Sequence, residues 1–280
     1  MMRLLHGRPV AERINAKTKE RVAALASHGI TPTLAIVSAG DFPDARTYRW
    51  RIAKLAKDLG IAESERAYPH ADEAQLAAHL ERGTGDAHGV LVLTPLPPNI
   101  SEDAIASHVS TEKDVEGIHP ENVGLLTLGR PRFIPSTAEA VLELLRFYDV
   151  RIDGSHAVVI GRSPIVGRPA ATLLLHAHAT VTLAHSRTHD LAAHTRDAQI
   201  VVVAVGKKGF LRGDMLLSGA TVIDAGINVT PAGLVGDVDV ESVSAVAGAL
   251  SPVPGGLGAI TTALLLRNVV TAAERQGGER

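Results

Sequence analysis

Ala157-Val158-Val159-Ile160-Gly161-Arg162-Ser163-Pro164-Ile165-Val166-Gly167-Arg168-Pro169 is the stretch that decides how this chain folds. Its four small or branched apolar residues read as a buried strand, Gly161 lets the backbone turn sharply, and Ala170-Ala171-Thr172-Leu173-Leu174-Leu175 reads as a helix. A strand, a short loop and a helix N-terminus make an anion site, because unpaired N–H groups and the positive end of the helix dipole face the ligand. A dinucleotide pyrophosphate suits the loop over Gly161, Ser163 and Gly167. The spacing is not G-x-G-x-x-G: Ser163 takes the second glycine's place and the last glycine falls one residue late.

Working outward, Ala179-Thr180-Val181-Thr182-Leu183-Ala184 reads as a second strand, followed by His185-Ser186-Arg187-Thr188. An acidic residue at this distance holds the ribose 2′-hydroxyl in NAD sites, whereas cations and hydroxyls suit a 2′-phosphate. Ser186 and Arg187, with Arg162 nearby, therefore point to NADP. Two further apolar runs, Ala198 to Gly206 and Ala220 to Asn228, read as parallel-sheet strands whose glycines let backbone approach a cofactor. The loop Ser251 to Ala259 is expected to close over the cofactor's reactive end, with a final helix from Thr261.

The N-terminal half alternates in the same way. Helices are expected over Glu12–Ala26, Ala45–Leu59 and Ala71–Glu81, and strands over Thr33–Ser38, Glu65–Tyr68 and Gly89–Leu93. Such alternation argues for a parallel sheet covered by helices, with ligands at the carboxyl ends of the strands. Ser136-Thr137-Ala138-Glu139 has the form of a capping box before a long apolar helix, and the domain boundary is placed there. The polar, sharply turned Lys113-Asp114-Val115-Glu116-Gly117-Ile118-His119-Pro120 reads as a wall of a binding site.

Composition narrows the chemistry. The 280 residues are 45% hydrophobic, enough for two cored domains. Lys+Arg 28 against Asp+Glu 30, with no basic run, gives no sign of nucleic acid, so the expected partner is a small molecule. The chain has no cysteine, which removes disulfides and thiolate chemistry. Its thirteen histidines are scattered without ligand spacing, so no metal is expected. Neither a signal peptide nor a membrane-spanning run is read, which points to the cytoplasm.

Taken in order, these segments resemble the methylenetetrahydrofolate dehydrogenase/cyclohydrolase family. The likeness covers nearly the whole chain. It is most specific in Gly161–Pro169, Val222-Ile223-Asp224 with Gly226-Ile227-Asn228, Leu234-Val235-Gly236-Asp237-Val238, and Pro252-Val253-Pro254-Gly255-Gly256. It implies a two-domain α/β fold: an N-terminal α/β catalytic domain (1–137 with 261–280), a C-terminal Rossmann-type NADP-binding domain with a parallel sheet (138–260), and a cleft between them. It also implies a homodimer, a reduced folate as substrate, and NADP as cofactor. Substrate is expected at Tyr48, Glu116, Pro254, Gly255 and Gly256. The cofactor is expected at Gly161, Arg162, Ser163, Ile165, Gly167, Ser186, Arg187, Thr188, Gly206 and Ile227.

Two catalytic positions depart from the family pattern. Four residues after Tyr48, where the family carries a proton-transferring lysine, stands Ile52, and the family's glutamine before Leu-Pro-Leu-Pro is Leu93. Lys54 is no easy substitute, since two residues rotate it about 200° around a helix. The family's pterin-holding aspartate is Glu116, one methylene longer. Hydride transfer moves no proton and survives such changes, but hydration of the methenyl cation needs an acid–base that Ile52 cannot supply. The expectation is an NADP-dependent dehydrogenase with weak or absent cyclohydrolase activity. A redox enzyme for another substrate and a non-catalytic NADP-binding relative also accommodate these residues.

Overall fold

The computed structural model describes residues 2–82, 84–231 and 233–277. Contacts divide the chain into two compact units: Met1–Glu12 with Pro135–Thr261, and Arg13–Ile134 with Thr262–Arg280. In chain order, the elements to the end of the first long segment are β1 (Arg3–Leu4), α1 (Gly7–Ser27), β2 (Thr33–Ala39), α2 (Pro43–Leu59), β3 (Ala62–Tyr68), α3 (Glu73–Glu81), β4 (Gly89–Val92), α4 (Glu102–Ala106) and α5 (Pro120–Thr127). There follow α6 (Ser136–Phe147), β5 (His156–Ile160), α7 (Gly167–His176), β6 (Thr180–Ala184), α8 (Leu191–Thr195), β7 (Ile200–Val203) and β8 (Thr221–Asp224). The last are β9 (Asn228–Thr230), β10 (Gly233–Val235), α9 (Val240–Ser244), β11 (Ala249–Leu250) and α10 (Leu257–Gly277).

The first unit is built on a six-stranded, all-parallel sheet in the order β1-β11-β8-β7-β5-β6. β7 is buried throughout and β5 from Ala157 to Ile160, as their Val/Ile runs require of strands covered on both faces. Ile160 pairs with both Ala184 and Val203, and Val203 with Asp224, so four strands finish level and deliver their loops to one end. β9 and β10 form a separate antiparallel hairpin. The sequence reading ran β8 on to Asn228, whereas the strand stops at Asp224 and Asn228 opens the hairpin.

The second unit carries the parallel sheet β3-β2-β4. Alternation along β2 sorts its side chains between two cores. Leu34 and Ile36 join α2, Leu91, Leu93 and the inner face of α10, while Ala35, Val37 and Ala39 pack with Leu76 and Leu80 of α3. The edge strand β3 is mostly exposed and bears Glu63, Glu65 and Arg66, charges that discourage further strand pairing. Among the described residues, no helix is long and apolar enough to cross a membrane.

Three further features differ from the sequence reading. The first twelve residues belong to the unit containing β5, because Arg3 and Leu4 pair with Ala249 and Leu250 and the Gly7 N–H donates to the Gly255 carbonyl at 2.9 Å. α10 begins at Leu257, four residues before Thr261, and passes from the first unit into the second beyond Thr261. No capping box forms at Ser136: Pro135 is the N-cap, Glu139 N–H donates to the Pro135 carbonyl, and the Ser136 hydroxyl is buried without a partner. A complete capping box instead starts α3, between Asp72 and Gln75.

Within the second unit, Asn268 of α10 is 3% exposed and donates to the carbonyls of Val115 (2.9 Å) and Ile134 (3.3 Å). Removing a buried donor leaves these acceptors unpaired. Asn268→Ala is expected to cost about 1–3 kcal/mol in denaturant unfolding, and a midpoint equal to wild type would show that the clamp contributes nothing.

Candidate functional site

The turn after β5 is set by backbone crowding. Gly161 has φ +120°, and a Cβ there would lie 2.1 Å from the Ala204 carbonyl oxygen. A Cβ on Gly167 would lie 2.0 Å from the Gly161 carbonyl oxygen, so α7 starts against the turn and only glycine permits that approach. Ser163 shapes the loop: its hydroxyl oxygen accepts from the N–H groups of Val166 (3.2 Å) and Gly167 (3.3 Å). Arg162 and Ile165 are exposed beside it.

Strand register brings the next loop alongside. Gly161 N–H donates to the Ala184 carbonyl at 2.9 Å, and His185 begins a tight turn just past β6. His185 N–H donates to the Thr188 hydroxyl and Thr188 N–H to the His185 carbonyl, both at 2.8 Å. Thr188 therefore closes the turn, and Ser186 and Arg187 are the exposed groups it presents. The next acid, Asp190, caps α8 by accepting from Ala193 N–H at 3.2 Å. Exposed Gly206 follows β7, and exposed Ile227 precedes β9.

A narrow glycine turn, the N-terminus of a ten-residue helix, and the exposed Arg162, Ser186 and Arg187 fit an adenine dinucleotide carrying a 2′-phosphate. Sequence reasoning took Asp224 and Asp237 only as parts of a motif. In the structure both are buried, and the carboxylate of Asp237 accepts the N–H groups of Val205, Gly206 and Lys207.

The second unit holds Tyr48 on α2, half-buried against a cluster containing Ala45, Ile52 and Leu93. Ile52 is 0% and Leu93 3% exposed, so both are core residues packed with Tyr48, and Leu93 also reaches the wall of a cavity lined by Gly40, Ala45 and Pro95. Lys54 is exposed, with its ammonium 5.3 Å from the ring centroid of Trp50. It belongs to another face of α2.

Glu116 sits on a turn that Asp114 builds. The buried Asp114 carboxylate accepts from His119 N–H and Asn122 Nδ2, each at 2.8 Å, while the Asp114 carbonyl accepts from Gly117 N–H at 3.0 Å. Gly117 has φ +67°, and a Cβ there would meet the Phe133 carbonyl oxygen at 2.8 Å. Burial, reinforced by the like charges of Asp114 and Glu102, pushes the Glu116 carboxyl up to about 8. Burial also raises the Tyr48 hydroxyl, and the Glu116 charge adds to that shift, so these two groups act on one another. Tyr48 stays neutral and can donate. Glu116 can hold or release a proton near neutrality.

Pro254, Gly255 and Gly256 lie in the first unit, where the Gly255 carbonyl anchors Gly7 and Gly256 precedes α10. No group of three or more His, Cys, Asp or Glu side chains placed to hold a metal ion occurs among the described residues.

Two family models match the chain: the catalytic domain of tetrahydrofolate dehydrogenase/cyclohydrolase over residues 5–116, and its NAD(P)-binding domain over residues 135–277. The bifunctional protein FolD of Nocardia farcinica is 45% identical over 279 residues, covering 98% of each chain. The crystal structure of the bifunctional enzyme FolD from Campylobacter jejuni superposes with a TM-score of 0.95 at 40% identity, covering 99% of this chain and 100% of that one. The Trypanosoma brucei FolD complexed with NADP cofactor and inhibitor gives a TM-score of 0.93 at 36% identity, covering 99% and 98%.

The Glu116 environment fixes the sign of a pH effect. Below its ordinary value of 4.5 both the folded and unfolded chains carry the proton; between 4.5 and about 8 only the folded chain does, so stability falls as pH rises through that window and levels off above it. Glu116→Gln removes this contribution. Its melting temperature should therefore gain on wild type between pH 4.5 and 8, and parallel melting profiles would refute the assignment.

Proposed function

Because the chain belongs to the tetrahydrofolate dehydrogenase/cyclohydrolase family, we propose that it is an NADP-dependent 5,10-methylenetetrahydrofolate dehydrogenase of one-carbon metabolism whose methenyltetrahydrofolate cyclohydrolase step is weak or absent. NADP, when bound, accepts the hydride that leaves the substrate's methylene carbon as the methenyl cation forms. The chain's residues supply position and environment. The Gly161 turn and the start of α7 hold the pyrophosphate, with Ser163 keeping the loop in shape, and Arg162, Ser186 and Arg187 face the 2′-phosphate. Ile165, Thr188, Gly206 and Ile227 complete the cofactor surface.

Glu116, on releasing its proton, receives the paired N–H donors of the pterin, which a carboxylate accepts together. Tyr48 covers the substrate face beside it, and Pro254, Gly255 and Gly256 supply backbone to the folate. Family likeness supports two further parts of this reading, a homodimer and a cytoplasmic location.

One observation separates the two activities. Ile52 and Leu93 are buried, apolar and packed beside Tyr48, so the position offers neither an ammonium to exchange protons nor an amide to orient water. Hydride transfer needs orientation; water addition needs a proton carrier as well. Tyr48, raised further from neutrality by burial, is a poor replacement.

Mixing the purified protein with NADP and methylenetetrahydrofolate tests the first activity directly through the absorbance of reduced cofactor. Arg187→Ala should weaken NADP by about 1–3 kcal/mol, the scale of a charge-assisted hydrogen bond, and leave NAD nearly unchanged; equal affinity of the wild type for both cofactors would exclude the 2′-phosphate assignment. Loss of the methenyl chromophore tests the second activity. Hydrolysis by the wild type should barely exceed buffer, a deficit of about 10²–10⁴-fold, and Ile52→Lys combined with Leu93→Gln should recover part of it. Rapid wild-type hydrolysis abolished by Lys54→Ala would overturn the role given to Ile52.

A further inference from the structure

Asp224 ends β8 at 3% exposure, and its carboxylate accepts from the N–H groups of Gly226 (2.9 Å), Asp237 (2.9 Å) and Val238 (3.0 Å). That fixes the segment leaving β10, and with it the position of Asp237, whose exposure is 0%. Oδ2 of Asp237 accepts from Val205 N–H (2.6 Å) and Gly206 N–H (2.8 Å), and Oδ1 from Lys207 N–H (2.8 Å). Asn228 Nδ2 donates to the same Oδ1 at 2.9 Å and to the Gly236 carbonyl at 3.1 Å. Three successive N–H groups converging on one carboxylate form an anion nest whose anion is internal.

The nest holds the loop after β7. Its near neighbour Ala204 is the residue whose carbonyl presses on the Gly161 turn. We propose that Asp237 is a positioning residue for the dinucleotide: it holds Val205, Gly206 and Lys207 in the backbone path that leaves room for cofactor beside Gly161, and through Asn228 it ties that path to the β9–β10 hairpin. The inference rests on the NADP reading given above. Asp237 touches no cofactor atom, being wholly covered, and acts only through the loop it holds.

Asp237→Asn tests this, because one acceptor oxygen becomes a donor facing N–H groups. In the full-length protein, amide exchange at residues 205–207 without ligand should accelerate, and calorimetric titration should show NADP bound about 10-fold or more weakly, while the Michaelis constant for methylenetetrahydrofolate holds. Asn228→Ala, which keeps the three N–H bonds and removes the hairpin tie, should weaken NADP about threefold and speeds the same amides less; it also serves if Asp237→Asn does not fold. Leu216→Ala, a core truncation in the same unit at 7% exposure, lowers stability without touching the nest and should keep its NADP affinity. Wild-type protein that binds no NADP would refute the cofactor reading itself. Wild-type binding with unchanged affinity and exchange in the Asp237 and Asn228 variants, or an equal affinity loss in Leu216→Ala, would overturn the positioning role alone.

Discussion

The parallel register of β6, β5, β7 and β8 is the constraint on which the nucleotide half depends. Once Ile160 is paired on both sides and Val203 on its far side, four chain segments must leave the sheet at one level. None of these loops has room for an arbitrary sequence. The first must be glycine where it meets the Ala204 carbonyl, the second must close tightly enough to present Arg187, and the third must find acceptors for three N–H groups pointing inward. The buried carboxylate of Asp237 meets that last need from a segment distant in the chain, and Asp224 fixes that segment by accepting from the N–H groups of Asp237 and Val238.

Charge is handled oppositely in the two units. Around the nucleotide loop the cations are exposed and the acids are buried as backbone acceptors. Around Tyr48 burial favours the neutral forms of Glu116 and Asp114, and the like charges of Asp114 and Glu102 add to the effect on Glu116. Asp114 is stabilised there by Asn122 and the His119 N–H, so the turn keeps its shape while Glu116 is left as the group whose protonation can change. Each unit thus treats charge in its own way: the first turns fixed backbone dipoles and exposed cations outward, and the second keeps an adjustable carboxyl.

Most of the sheet was legible in the sequence because buried parallel strands announce themselves as short Val/Ile runs closed by glycine. What escaped was short or assembled from afar. Arg3-Leu4 is too brief to show a period, yet it assigns the first twelve residues to the other unit. α5, eight residues opened by Pro120, carries too few turns for its pattern to rise above a polar loop. The Ser136 box has the right letters, but Pro135 starts the helix one residue early and takes the cap for itself. For the candidate site, the Gly161 loop was read from its strand–glycine–helix pattern, whereas Tyr48 and Glu116 came from the family resemblance. The burial of Ile52 and Leu93 and the closure of the 185–188 turn by Thr188 needed coordinates, since each depends on what packs against it.

Trp50, the chain's single tryptophan, stands on α2 two residues after Tyr48, 62% exposed and with the Lys54 ammonium over its ring. All of the protein's indole emission therefore arises from one water-exposed, cation-capped ring on the unit that carries α2, and none from the six-stranded sheet of the other unit. Such a ring already emits in a polar setting while folded. Its spectrum is thus a local gauge of α2, and a small red shift on denaturation would report how little that one surface changes, not how little of the chain unfolds.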